Sequence, residues 1–156
     1  MIDSSCTISP TANIPHPELV NLYGCTIGDG CMIGPFVEIQ AGAVIGANTH
    51  ICSHAFICGG AQIGRDVFIG HGVMTINDLK PIVGQPAHLE TLTIEDGASI
   101  GSGVVLLPVT IGAHSVVGAG AVVIRSVLPF AVVVGNPART IRLPGTEKER
   151  DRWLNM

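Results

Sequence analysis

Residues 27–69 read IGDGCMIGPFVEIQAGAVIGANTHICSHAFICGGAQIGRDVFI, and isoleucine occupies every sixth position: Ile27, Ile33, Ile39, Ile45, Ile51, Ile57, Ile63 and Ile69. A helix turns every 3.6 residues, so this repeat would scatter its isoleucines around the cylinder, whereas six is a multiple of the two-residue strand period. The stretch therefore predicts short strands. Two positions before each isoleucine the residue is again small or apolar (Cys31, Val37, Ala43, Thr49, Ala55, Ala61, Val67), and glycine often follows it (Gly28, Gly34, Gly46, Gly64, Gly70). Glycines at that spacing mark bends. One large aliphatic side chain per strand, joined by small-residue corners, describes the coil of a parallel β-helix. Three hexapeptides make one triangular turn, so residues 18 apart stack at roughly the 4.8 Å spacing of paired strands. Ile27 is expected beneath Ile45, and Ile45 beneath Ile63.

Working outward, the pattern starts weakly at Ile8 and Ile14 and is reset by one extra residue before Asn21. It resumes at Ile94, Ile100, Leu106, Ile111, Val117 and Val123, with a step of only five between Leu106 and Ile111, so one corner there is expected to be short. From about residue 75 to 93 no hexapeptide fits, and Asn77, Asp78, Lys80, Pro81, Gly84, Pro86 and His88 are loop or turn formers. This is predicted as a loop ejected from the coil. Residues 137–156 lose the period, and Glu147 to Leu154 is expected to form a short terminal helix. The whole chain, 1–156, is read as one all-β domain.

Composition narrows the function classes. Apolar residues are 47% and charged ones 13%, with 20 glycines in 156 residues, which excludes a disordered chain. Eight Lys and Arg against twelve Asp and Glu give −4, leaving no basic surplus for a nucleic acid backbone. Ala98 to Ile124 carries no Asp, Glu, Lys or Arg over about 27 residues, longer than the ~20 that span a bilayer. Its period of six assigns it to coils instead, so no membrane association is expected. No amino-terminal leader is expected either, because the first apolar residues are isolated and proline-interrupted. The five cysteines form no CxxC pair and read as small core fillers in a reducing cytoplasm.

The repeats, the segment IGHGVMTIND (69–78) and the ending GAGAVVIRSVLPFAVVVGNPARTIR (118–142) resemble the hexapeptide-repeat acyltransferases. NLYGCTIGDG, IGPFVEIQ and HGVMTINDLKP look most like the subgroup that acetylates the 3-amino group of a deoxyhexose linked to a nucleoside diphosphate. The resemblance implies a left-handed β-helix, acetyl-CoA as donor, a dTDP- or UDP-amino sugar as acceptor, and a homotrimer with active sites between neighbouring prisms. An O-acetyltransferase of a sugar or small-metabolite hydroxyl, and a non-catalytic assembly β-helix, are the competing readings.

Attack of an amine on a thioester requires the amine neutral and a base near pH 7 within hydrogen-bond reach. His71, just before the loop, is the candidate base, and Ser53, 18 residues earlier, should stack beneath it. A surface imidazole between two glycines is the plainer reading. Asn77 is the second catalytic candidate, able to orient the amine or hold an oxyanion, although turn formation alone would explain it. Asp78 and His54 are candidate substrate contacts. The resemblance implies Ser102, Ala119, Arg125, Arg139 and Arg142 as the coenzyme A site, the arginines meeting its phosphates. The five-residue step after Leu106 is expected to disturb that channel near Ser102. No metal is expected, because His50, His54 and His71 fall in different phases of the repeat.

Overall fold

The computed structural model describes residues 1–142, and the helix expected at Glu147 to Leu154 lies outside them. Two- to four-residue strands stack into three parallel sheets, the faces of a prism. The first face stacks Thr7–Ile8, Thr26–Ile27, Val44–Ile45, Gln62–Ile63, Thr93–Ile94 and Thr110–Ile111. The second stacks Met32–Ile33, His50–Ile51, Phe68–Ile69, Ser99–Ile100, Val116–Val117 and Val132–Val134. The third stacks Asn21–Leu22, Glu38–Ile39, Phe56–Ile57, Met74–Thr75, Val105–Leu106 and Val122–Val123. The fold is the left-handed parallel β-helix.

The register is the one the isoleucines predict. Ile27 pairs with Ile45 and Ile45 with Ile63, while Ile33 pairs with Ile51 and Ile51 with Ile69. In the two-residue strands the second residue points inward, and Leu22, Ile33, Ile39, Ile51, Ile57, Ile69, Ile100, Leu106 and Ile111 have no exposed surface. Burying such a side chain contributes about 1.5–3 kcal/mol. Cys25, Cys31, Cys52 and Cys58 are buried and free, and burial pushes each thiol upward, Cys25 to about 12 with Cys6 beside it. No helix among the described residues is long and apolar enough to cross a membrane.

Three expectations are refined. The loop spans residues 76–92, because Thr75 is still a core residue and occupies an isoleucine slot. Its Oγ1 accepts the amide of Cys58 at 2.7 Å and donates to the carbonyl of Phe56 at 3.0 Å. The hydroxyl thus makes ladder bonds that the backbone would otherwise make, at the point where the chain leaves the coil. Leu92, fully buried, returns it. The short corner exists, at residues 107–109, and it joins the third face to the first. The chain beyond residue 137 is not irregular throughout, since Arg139–Arg142 is a strand antiparallel to Val132–Val134 on the second face.

Candidate active site

Three edges join the faces, and their corners carry Ser53, His71 and Ser102 among other polar side chains. The edge between the second and third faces brings Pro35, Ser53, His71, Ser102 and Ala119 into one column. The stacking is held by backbone bonds from Gly72 to the carbonyl of Ser53, Gly103 to that of His71, and Gly120 to that of Ser102. Glycines earlier in these corners permit the close approach. A Cβ on Gly34 would lie 2.8 Å from the amide nitrogen of Ser53, one on Gly70 2.6 Å from that of Ser102, and one on Gly101 2.5 Å from that of Ala119.

Ser53 Oγ and His71 Nδ1 are 2.8 Å apart, so the imidazole meets the hydroxyl expected beneath it. The candidate base and two of the expected coenzyme A contacts, Ser102 and Ala119, therefore share one edge, although the whole loop separates His71 from Ser102 in the chain. The five-residue step does not disturb this column, because the shortened corner at 107–109 lies on a different edge. That corrects the expectation of a displaced channel near Ser102.

The last corner residue is left-handed along this edge. Phe36 (φ 60°) and His54 (φ 63°) occupy it in two coils, both exposed, with ring centroids 4.8 Å apart. Gly72, Gly103 and Gly120 occupy it in the next three, and a Cβ on any of these would have no heavy atom within 4 Å. At this last corner position the side chains end with His54, and from the level of His71 onward the position is open.

Asn77 and Asp78 lie on another edge, where the loop leaves between the third and first faces. Asn77 Nδ2 donates to the carbonyl of Gly59 at 3.0 Å, and its own carbonyl accepts the amide of Glu90 at 2.8 Å, closing the neck of the loop. Asp78 Oδ1 accepts the amide of Lys80 at 2.9 Å. Both residues hold the loop, as turn chemistry requires. Within one chain the strand Met74–Thr75 separates Asn77 from His71, so the two candidates do not meet. Glu38 and Gln40, which the sequence reading did not single out, support Asn77 indirectly: Gln40 Nε2 donates to Glu38 Oε1 at 3.3 Å, and Gln40 Oε1 accepts the amide of Gly59 at 3.1 Å.

The arginines are dispersed. Arg125 lies on the same edge as the loop, in the final coil, whereas Arg139 and Arg142 lie on the antiparallel strand of the second face. They share the carboxy-terminal end of the prism but not one corner, because a coil carries residues four to six apart to successive edges. No group of three or more His, Cys, Asp or Glu among the described residues is arranged to hold a metal ion.

Residues 24–59 match the bacterial transferase hexapeptide family (six repeats), and residues 91–125 match the hexapeptide repeat of succinyl-transferase. The bifunctional protein GlmU of Heliobacterium modesticaldum is 36% identical over 135 residues, covering 85% of this chain and 26% of that protein. The chain thus spans about a quarter of the length of this curated relative. Among solved structures, a hexapeptide-repeat acetyltransferase from Vibrio cholerae, complexed with acetyl coenzyme A, aligns with a TM-score of 0.69 and 29% identity, over 83% of this chain and 74% of that one. A perosamine N-acetyltransferase from Caulobacter crescentus, in complex with CoA and GDP-perosamine, aligns with a TM-score of 0.63 and 25% identity, over 91% of this chain and 56% of that one.

Proposed function

The chain carries the hexapeptide repeats of bacterial transferases, and from that premise we propose that it is an acetyl-CoA-dependent N-acetyltransferase acting on the 3-amino group of a nucleotide-linked deoxy sugar. The observation that carries this reading is the hydrogen-bonded His71 at the foot of an open glycine column. The similarity to an acetyltransferase holding acetyl coenzyme A and to an N-acetyltransferase holding GDP-perosamine supports the donor and the acceptor class.

In this reaction the acceptor nitrogen attacks the thioester carbonyl, a C–N bond forms, and the C–S bond breaks with its electron pair leaving on sulfur. His71 removes the proton from nitrogen, a role suited to imidazole at neutral pH. The open column above Gly72 gives the slender arm of coenzyme A room beside Ser102 and Ala119, and Arg125, Arg139 and Arg142 supply cations for its phosphates at the prism end. Asp78 and His54 contact the acceptor sugar, and Asn77 orients its amine. Because one chain keeps Asn77 and the loop on a different edge from His71, a complete site requires a second copy, as in a homotrimer with sites between prisms. Reduced cysteines and acetyl-CoA as co-substrate agree with a cytoplasmic protein.

Mass spectrometry of products after incubation with acetyl-CoA and a panel of dTDP-, UDP- and GDP-linked amino sugars tests the proposal. The expected result is a gain of one acetyl group on a 3-amino sugar. Acetylation of a hydroxyl analogue instead, or coenzyme A binding without transfer to any amine, overturns it.

A further inference from the structure

We propose that Ser53 is a positioning residue for His71, its Oγ accepting the Nδ1–H of the imidazole so that the lone pair on Nε2 is the one that takes the acceptor's proton. The inference rests on the reading of His71 as the base. It begins from the 2.8 Å contact between Ser53 Oγ and His71 Nδ1, with the two residues in the same corner slot one coil apart.

The direction of the bond follows from what happens during turnover. When Nε2 takes the proton from the attacking nitrogen, the ring becomes an imidazolium and both of its nitrogens are donors. A serine hydroxyl that donated to Nδ1 would leave the neutral ring's proton on Nε2, with no lone pair there to act as the base. One that accepts from Nδ1–H keeps its bond in both ring states, since its oxygen has two lone pairs. The proton gained on Nε2 then passes to the departing thiolate or to solvent, and the Nδ1–H···Oγ bond is never broken.

The backbone around Ser53 is made for such a role. Its carbonyl accepts the amide of Gly72 at 3.0 Å, which ties the Ser53 corner to the corner holding His71. The missing side chain of Gly34 allows the Ser53 amide to approach to a distance at which a Cβ would collide. Among the described residues His71 is the hydrogen-bond partner of the Ser53 hydroxyl. An imidazole in water favours the Nε2–H tautomer, which would present a donor rather than a base to the substrate. The serine reverses that preference by stabilising Nδ1–H.

The test is 15N NMR of the histidine rings in the full chain above the pH at which they protonate, with His71 assigned by the signals lost in His71→Ala. Wild type is expected to show His71 protonated on Nδ1. Ser53→Ala is expected to shift it towards the Nε2–H form, and Ser53→Thr, which keeps a hydroxyl, to preserve the wild-type form. In kinetics, Ser53→Ala should lower kcat about fivefold to tenfold, the equivalent of one net hydrogen bond, with KM for acetyl-CoA unchanged and kcat recovered in Ser53→Thr. An Nε2–H tautomer in wild type, or a tautomer that Ser53→Ala leaves unmoved, overturns the inference. So does a changed tautomer with unchanged kcat, while product analysis on wild type separately decides whether the acetyl transfer itself stands.

Discussion

The two edges that flank the second face share one backbone device and put it to opposite uses. Both turn through a left-handed residue in every regular coil. On the edge joining the first and second faces that residue is Asn48, Asp66, His114 or Phe130 in four of the coils, and their side chains fold back over the corners. Asn48 Nδ2 bonds to Asp66 Oδ1 at 3.1 Å, Asp96 Oδ1 accepts the amide of Arg65 at 2.9 Å, and His114 stacks on Phe130 at 5.2 Å. A Cβ on Gly30 would lie 2.6 Å from Asn48 Oδ1. At its left-handed positions this edge is sealed, while Gly64, Asp96 and Ala113 beside them line a cavity with the first face. On the other edge the same position is bare glycine at Gly72, next to His71, and at Gly103 and Gly120 in the two coils that follow. A left-handed corner costs about 1–2 kcal/mol with a side chain and little with glycine. The sealed edge offsets that cost through contacts between coils, and the open edge leaves its surface available.

Four substitutions test the contrast. Removing the imidazole, His71→Ala, should lower kcat by about 10²-fold or more with the fold intact, as expected for loss of a general base; near-full activity with circular dichroism unchanged would remove His71 from the chemistry. Gly112→Ala, on the sealed edge, drives a methyl into the backbone between Leu128 and Pro129. It should cost roughly 3 kcal/mol in denaturant unfolding while leaving KM for acetyl-CoA unchanged in the folded fraction. Gly103→Asn, on the open edge, meets no neighbour and places a residue tolerant of left-handed backbone in the column. Stability should fall by about 1 kcal/mol at most, while KM for acetyl-CoA rises about tenfold, the cost of one displaced contact of about 1.4 kcal/mol. An unchanged KM there would break the assignment of open edge to cofactor. The smallest effect concerns the core under the sealed edge, where Ser115 is fully buried and its Oγ has no hydrogen-bond partner among the described residues. Thr49, in the equivalent slot, satisfies its hydroxyl on the carbonyl of Gly64 at 2.9 Å. Ser115→Ala should therefore raise stability by about 1 kcal/mol, read as a higher midpoint in urea.

Much of the site is legible in the sequence because its partners obey the repeat. Ser53 and His71 are 18 residues apart within the unbroken coils, and the 2.8 Å contact is what that spacing requires. Ser102 and Ala119 are harder to place, since the loop and the short corner shift the count, and only the pairing of Ile69 with Ile100 and of Ile100 with Val117 shows which edge they join. Thr75 carries a legible signal, a polar residue in an isoleucine slot, yet its exchange of a backbone ladder bond for a hydroxyl bond is a matter of geometry. The arginines show the opposite case. Proximity in sequence suggests one cluster, and the coil distributes Arg125 and Arg139 to different parts of the terminal turn.

By itself the sequence determined the local state, the core and the register, because a period of six is commensurate with strand alternation and three such steps close a turn. It also determined that the chain must leave the coil between about residues 75 and 93, where no large aliphatic residue falls in phase. Only the tertiary structure decided which edge is sealed and which is open. Whether a corner glycine faces a neighbour or empty space depends on side chains a full coil away, in places with the whole loop intervening, and no local pattern records that contact.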